Sequence, residues 1–193
     1  TDEITNGGSA EEWALRSFFG RINYNYDEKY LLEANVRYDG TSRFAKDNRW
    51  GCFPSFSAGW NFSKEKFMSF ADPVLQMAKL RASWGELGNQ NVGDNFYPYL
   101  VAIESVDKAY PIGNQLNTGF QQIALGNKNI KWETIRMLNI GVDFALFNNR
   151  LTVSADWFKK NNMDALVRPS FPLVIGKWQK DSSRDYLPLE NLG

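Results

Sequence analysis

The sequence predicts an all-β protein whose antiparallel, amphipathic strands form part of a large transmembrane β-barrel with long extracellular loops. Three observations predict it. First, apolar and polar residues alternate with period two in several segments, the pattern of strands with one apolar and one wet face. Second, short and long connections take turns along the chain, as in a barrel wall with turns at one end and loops at the other. Third, with the strands run alternately down and up, the aromatics of the apolar faces gather at both ends. Such girdles, flanking a band of Leu, Ile, Val and Ala, are expected where strands cross a bilayer.

Residues 1 to 13 read as the end of a loop. The first strand places Phe18, Gly20, Ile22, Tyr24 and Tyr26 on one face and Arg21, Asn23 and Asn25 on the other, with Phe19 breaking the polar side. Asp27-Glu28-Lys29 turns tightly into a second strand, pairing the two as a hairpin. There Tyr30, Leu32, Ala34, Val36 and Tyr38 alternate with Leu31, Glu33, Asn35, Arg37 and Asp39. Gly40 to Gly51 is a long polar loop. The third strand, near 53 to 63, sets Pro54, Phe56, Ala58, Trp60 and Phe62 against Ser55, Ser57, Gly59 and Asn61. A short helical turn is expected around Glu65 to Phe70. The fourth strand sets Ala78, Leu80, Ala82 and Trp84 against Lys79, Arg81 and Ser83. Residues 85 to 132 form a Gly/Asn/Gln-rich loop with one extended piece near Tyr97 to Ile103, and a loop of that length is often functional. The fifth strand carries Leu138, Ile140, Val142, Phe144 and Leu146. Asn148-Asn149 turns it into the sixth, with Leu151, Val153, Ala155 and Trp157. From Asn161 onward the chain is polar and Pro-punctuated, and no closing strand is expected.

On this reading Tyr24, Tyr26, Tyr30, Trp60, Phe62 and Phe144 fall at the short-turn end, and Tyr38, Phe56, Trp84 and Trp157 at the long-loop end. Strand length agrees: about 11 residues at roughly 3.3 Å each, tilted by about 40°, span some 27 Å. Alternating strands rich in aromatics also suit a soluble β-sandwich that binds glycans through exposed Trp and Tyr. That alternative requires protein to cover Val36, Ala58, Val142 and Val153. Loop parity and the girdles favour the barrel.

Composition narrows the function. The 22 basic and 22 acidic residues balance, which gives no electrostatic case for nucleic acid. There is no histidine, so the commonest general base and transition-metal ligand are missing. The single cysteine, Cys52, builds neither an internal disulfide nor a thiolate metal site. No run approaches the roughly 18 apolar residues of a membrane helix, and the opening TDEITNGGSAEEW is not a signal peptide. GNQNVG, Gly88 to Gly93, has phosphate-loop glycine spacing, but Asp94 stands where the lysine belongs. No GxSxG or HExxH occurs. Neither an enzyme nor a cofactor is expected.

The segments YLLEANVRYDGTSRF, NRWGCFPSFSAGWNFSKEKFM, LRASWGELGNQNVG and NIKWETIRMLNIGVDFALFNNRLTVSADWFKK resemble consecutive pieces of the SusC/RagA family. These are the TonB-linked outer-membrane transporters of Bacteroidota, and the resemblance covers most of residues 14 to 168. It implies a barrel of about 22 strands, filled by an N-terminal plug, that imports glycans or peptides. It also implies a lid-like SusD-type lipoprotein partner outside and TonB energy coupling inside. This chain departs from that pattern by offering about six strands and neither plug nor TonB-contacting segment. Even the smallest natural membrane barrels use about eight strands. Residues 1–193 are therefore expected to be a contiguous part of a transporter barrel. Cys52 stands where an aromatic is usual in NRWGxFPS, and no function attaches to it.

Five residues are candidates for substrate binding. In the loop Asp39 to Trp50, the Trp50 ring offers a platform for a sugar face, and Arg43 and Arg49 offer guanidinium groups to hydroxyls or carboxylates. The structural alternative pairs both arginines with Asp39 and Asp47. Asn89 and Gln90 offer amides to ligand or plug, or else satisfy loop backbone, as does Asn91. Trp132 is expected as a girdle anchor. Glu33, Arg37, Lys79, Arg81 and Asp143 face the lumen, where they touch a plug or line the import path, or else form a solvated wall. Asp47, Asn48, Asp94 and Asn95 supply oxygen ligands for calcium, without a recognised spacing.

Overall fold

A computed structural model of the chain describes residues 10–71, 74–93, 96–113, 115–168 and 188–192. Six long strands form one antiparallel sheet. They are β1 (Leu15–Tyr26), β2 (Tyr30–Thr41), β3 (Trp50–Asn61), β4 (Leu75–Asn89), β7 (Glu133–Leu146) and β8 (Leu151–Met163), in the order β1-β2-β3-β4-β7-β8. These are the six strands expected. β4 and β8 run farther toward the long-loop end than the alternation indicates, because Glu86 and Lys159 interrupt the apolar face there.

Two further pairs lie outside this sheet. β5 (Ala102–Ile112) and β6 (Gln115–Ala124) form a hairpin inside the stretch read as a long loop. Only its first residues fall in the extended piece expected near Tyr97 to Ile103. Ile103, Ile112 and Phe120 on it are exposed, so these apolar residues imprint no buried-face period on the sequence. The absence of a strand after Asn161 also needs correction. β9 (Ala165–Val167) pairs with β10 (Glu190–Leu192), a short clasp apart from the main sheet.

The β1–β2 turn is tight because Asp27 and Glu28 both adopt a left-handed φ of 52° in the three-residue loop between the paired Tyr26 and Tyr30, and Lys29 N–H donates to the Tyr26 carbonyl at 3.0 Å. Register then carries the alternation across the sheet. Tyr30, Trp60, Leu80 and Val142 share one row, and Leu32, Ala58, Ala82, Ile140 and Trp157 the next. Val36 and Val153 are 45% and 44% exposed, so no second layer of protein covers this face. Among the described residues only eight hydrophobic side chains are buried, and none is one of these face residues except Ala78. A sandwich of this size would bury both inner faces, so the structure favours the barrel wall.

The aromatics do gather at the ends. At the short-turn end Tyr26 and Tyr30 stack at 6.4 Å, and Phe62 meets Trp60 at 5.7 Å and Phe144 at 6.2 Å. The helical turn expected around Glu65 to Phe70 is present as a 3-10 turn over Lys66–Ala71. Beside it, Glu65 accepts hydrogen bonds from the Tyr30 hydroxyl at 2.7 Å and the Trp60 indole at 3.3 Å. The Tyr30 bond first, then that of Trp60, holds the Glu65 carboxyl below the usual glutamate range. At the long-loop end Phe56 stacks on Trp84 at 6.1 Å and Tyr38 on Trp50 at 4.9 Å. Past Trp84 the same face turns charged, where Arg136 donates to Glu86 at 2.6 Å. That change marks the edge of the apolar band.

Candidate functional site

The face opposite the aromatics is a cross-linked polar wall. Arg81 on β4 grips Asp143 on β7 through Nε at 2.6 Å and Nη2 at 3.0 Å, and its Nη2 reaches Asp156 on β8 at 3.2 Å. Ser154 donates to the same Asp143 at 2.9 Å. Gly141 lies level with Arg81 on one side and Asp156 on the other. A Cβ there would stand 2.3 Å from Asp156 Oδ1 and 3.0 Å from Arg81 Nη2, so glycine is what lets the guanidinium cross a strand. Toward β1, Glu33 Oε1 accepts from Arg21 and Asn35, each at 2.8 Å. Arg37 pairs with Asp39 at 3.0 Å. Between the two clusters Ser55, Ser57 and Ser83 leave a low polar strip. The wall offers hydrogen-bond donors and acceptors on rigid strands, a surface fit to hold a polar solute or a polar polypeptide.

Above it, at the long-loop end, the loops have their own core: Phe44, Phe53, Val92, Ile130, Trp132 and Leu189, with Leu166 against them. It forms where β3 and β4 part beyond the Ser55–Gly85 pair. The Phe53 ring fills that gap, close enough that a Cβ on Gly88 would meet it at 2.1 Å. Trp132 meets Phe44 and Phe53 edge-on at 5.6 and 5.4 Å and donates its indole N–H to the Arg49 carbonyl at 2.9 Å. Trp132 is therefore not the expected girdle anchor. It is 7% exposed and sits just before β7 begins, where the strand's alternation no longer decides its direction. Asn191 staples β10 to this core, accepting from Lys131 N–H and donating to the Lys131 and Asp164 carbonyls.

The five candidate residues all lie at this end but in different surroundings. The Arg43 guanidinium is sandwiched between Trp13 at 4.4 Å and Phe96 at 4.8 Å. Arg49 donates to the Phe44 carbonyl at 3.2 Å, holding its own loop. Neither pairs with Asp39 or Asp47 as the structural alternative had it: aromatic rings take the first, a backbone carbonyl takes the second, and Arg37 takes Asp39. Trp50 lies on the apolar face, stacked on Tyr38 at an interplanar angle of 9°, with Phe18 at 6.2 Å. Asn89 donates to Glu133 at 3.1 Å and accepts from Asn91 N–H at 3.0 Å. Gln90 Oε1 is buried without a protein partner among the described residues, as are Asp39 Oδ1 and Arg43 Nε. The structure thus brings Asn89 and Gln90 together and keeps them apart in chemistry from Trp50. Of the oxygen ligands weighed for calcium, Asp94 and Asn95 lie outside the described residues, and the described ones hold no metal-binding cluster.

Some contributors were not legible as a site. Asp156 is the second carboxylate of the Arg81 clamp, and only β7–β8 register reveals it. Glu133, which accepts from Asn89 and from Asn162 at 3.4 Å, starts β7 beyond the alternating stretch. Trp13 and Phe96 lie on either side of Arg43 in the chain, far from it in sequence, and no local pattern pairs them with it.

A six-stranded antiparallel sheet with a girdled apolar face, a charged opposite face and packed loops at one end defines the wall of a transmembrane β-barrel. The family profile described as TonB dependent receptor-like, beta-barrel matches residues 2–174, and the chain belongs to that family of the cell outer membrane. It is 38% identical over 180 residues to the TonB-dependent receptor SusC of Bacteroides thetaiotaomicron, a match covering 93% of this chain and 18% of that protein. It is 38% identical over 174 residues to TonB-dependent receptor P39 of Formosa agariphila, covering 89% and 16%. The solved RagAB peptide transporter superposes with a TM-score of 0.76 at 26% identity, over 94% of this chain and 18% of that one. The chain thus spans less than a fifth of the length of each of these three.

Proposed function

We propose that residues 1–193 are part of the barrel of a SusC-like TonB-dependent importer, supplying six strands of wall and the outer loops that meet the incoming solute. One observation carries this reading: a single sheet presents exposed aromatic girdles on one face and the Arg81–Asp143–Asp156 and Arg21–Glu33 clusters on the other. Among the described residues its outermost strands, β1 and β8, each pair on one side only, which suits further strands in the same wall. The imported solute is an oligosaccharide or a peptide: the resemblance to the SusC/RagA family implies either, and the similar RagAB structure is that of a peptide transporter. The receptor works with a SusD-like lipoprotein lid and draws energy from the TonB complex. Arg43, Asn89 and Gln90 are proposed as loop contacts to solute or plug. Arg49 acts by holding the loop, and Trp50 by stacking within the girdle, each beside its substrate-binding alternative.

The test is uptake by cells carrying the full-length receptor, offered fluorescent oligosaccharides and fluorescent oligopeptides, with and without TonB. Uptake of one class that disappears without TonB supports the proposal and names the substrate. Equal accumulation with and without TonB, or none of either class, refutes it.

A further inference from the structure

The apolar face is not uniform. Small side chains at Ala34, Ala58 and Ala82 leave a trough of about 550 Å³ in it, walled by Leu32, Phe56 and Trp84. The depression follows from the register: Ala58 pairs with Ala82, while their neighbours Phe56 and Trp84 pair and stack beside them. Ile22 on β1 and Leu138 on β7 border it in the same row as Phe56 and Trp84. Its exposed lining is almost wholly apolar, so water is a poor occupant and a hydrocarbon chain a good one.

The Leu138 end is cationic. Lys159 is the direct cross-strand partner of Leu138, which puts their Cβ atoms about 5 Å apart. Lys159 has no ion pair among the described residues. Arg136, two residues along β7 on the same face, leans over the Trp84 wall with its guanidinium 5.9 Å from the ring. It commits Nε and Nη2 to Glu86 Oε1. An apolar trough with a lysine and an arginine at one end has the charge pattern of a lipid: hydrocarbon along the floor, phosphate at the mouth.

We propose that this trough is a binding site for one anionic, phosphate-bearing lipid of the membrane, held by an acyl chain over Ala58 and Ala82 and by its headgroup on Lys159 and Arg136. Such a lipid is retained by this site and does not exchange like the rest of the surrounding bilayer. The proposal rests on the membrane placement of this face and not on what the receptor imports.

The experiment uses the full-length receptor, purified in detergent and titrated with phosphatidylglycerol or with zwitterionic phosphatidylcholine, with bound lipid counted by native mass spectrometry. One phosphatidylglycerol should be retained in preference to phosphatidylcholine. Lys159→Gln should weaken that preference about fivefold, and adding Arg136→Gln should weaken it by a similar factor again. Ala82→Phe, which fills the trough, should reduce retention of both lipids. Folding of each variant is checked by the heat-dependent gel mobility of barrels, and Lys159→Gln, an exposed change, keeps the test alive if Ala82→Phe fails to fold. Equal binding of both lipids by the wild type, or an unchanged preference in Lys159→Gln, overturns the proposal. TonB-dependent uptake that persists in such a case leaves the importer reading intact.

Discussion

Trp132 gives the sharpest test of how the loop end is held. Its ring is 7% exposed and lies between Phe44 and Phe53, and its indole N–H donates to the Arg49 carbonyl, which also accepts from Thr41 N–H at 3.1 Å. Removing a buried tryptophan side chain costs about 3–5 kcal/mol through lost contacts and the cavity left behind. Removing only the indole hydrogen bond costs about 1 kcal/mol. Trp132→Phe keeps most of the packing and loses the bond, so it should raise local opening of the loop between β2 and β3 about fivefold. Trp132→Ala loses both and should raise it by about two to four orders of magnitude, at about 1.4 kcal/mol per factor of ten, up to the limit set by global unfolding. The reporter is amide exchange of peptides containing Thr41 in the folded full-length receptor. Unchanged exchange in Trp132→Ala would refute the packed loop core. Equal effects of the two variants would show that the hydrogen bond, not the packing, holds the loop.

Gly141→Ala should destabilise the wall more than Asp156→Ala does, because the new methyl displaces Asp156 and crowds Arg81, whereas loss of one exposed ion pair is small; thermal unfolding in detergent compares the two. Glu65, held below its usual range by Tyr30 and Trp60, contributes stability that is present above the ordinary glutamate value of about 4.3 and lost as pH falls through its lowered folded value. Glu65→Gln should abolish that acid-limb loss, read as melting temperature against pH, and an identical acid limb in the variant would refute the assignment. Arg43→Lys keeps the charge but not the planar stack on Trp13 and Phe96. It should loosen the 96–101 segment by about 1–2 kcal/mol, seen as faster proteolytic cleavage there, with no change in cleavage at the β7–β8 turn.

The main sheet was legible because each strand touches two unlike media. Lipid on one side and water on the other write a period of two into Tyr30 to Tyr38 and Leu138 to Leu146, and the tight turn at Asp27-Glu28 supplies the parity that sorts aromatics to the ends. The β5–β6 hairpin was not legible, since exposed Ile103 and Phe120 pack against no face that would impose alternation. The candidate site divided the same way. Arg81 and Asp143 could be placed on the polar face from sequence alone. Their link to Asp156 depends on β4–β7–β8 register and on the space above Gly141, and neither is written in any one strand. Trp50 and Trp132 show the limit most plainly. Both are tryptophans beside loop ends, yet strand parity puts the first on Tyr38 in the girdle, while the parting of β3 and β4 draws the second into a buried core. Residue type and spacing determined the medium each strand face meets. Only the tertiary structure decided which loop side chains meet each other, because those contacts join segments as far apart as the 83 residues between Arg49 and Trp132 and depend on chain geometry that local pattern does not encode.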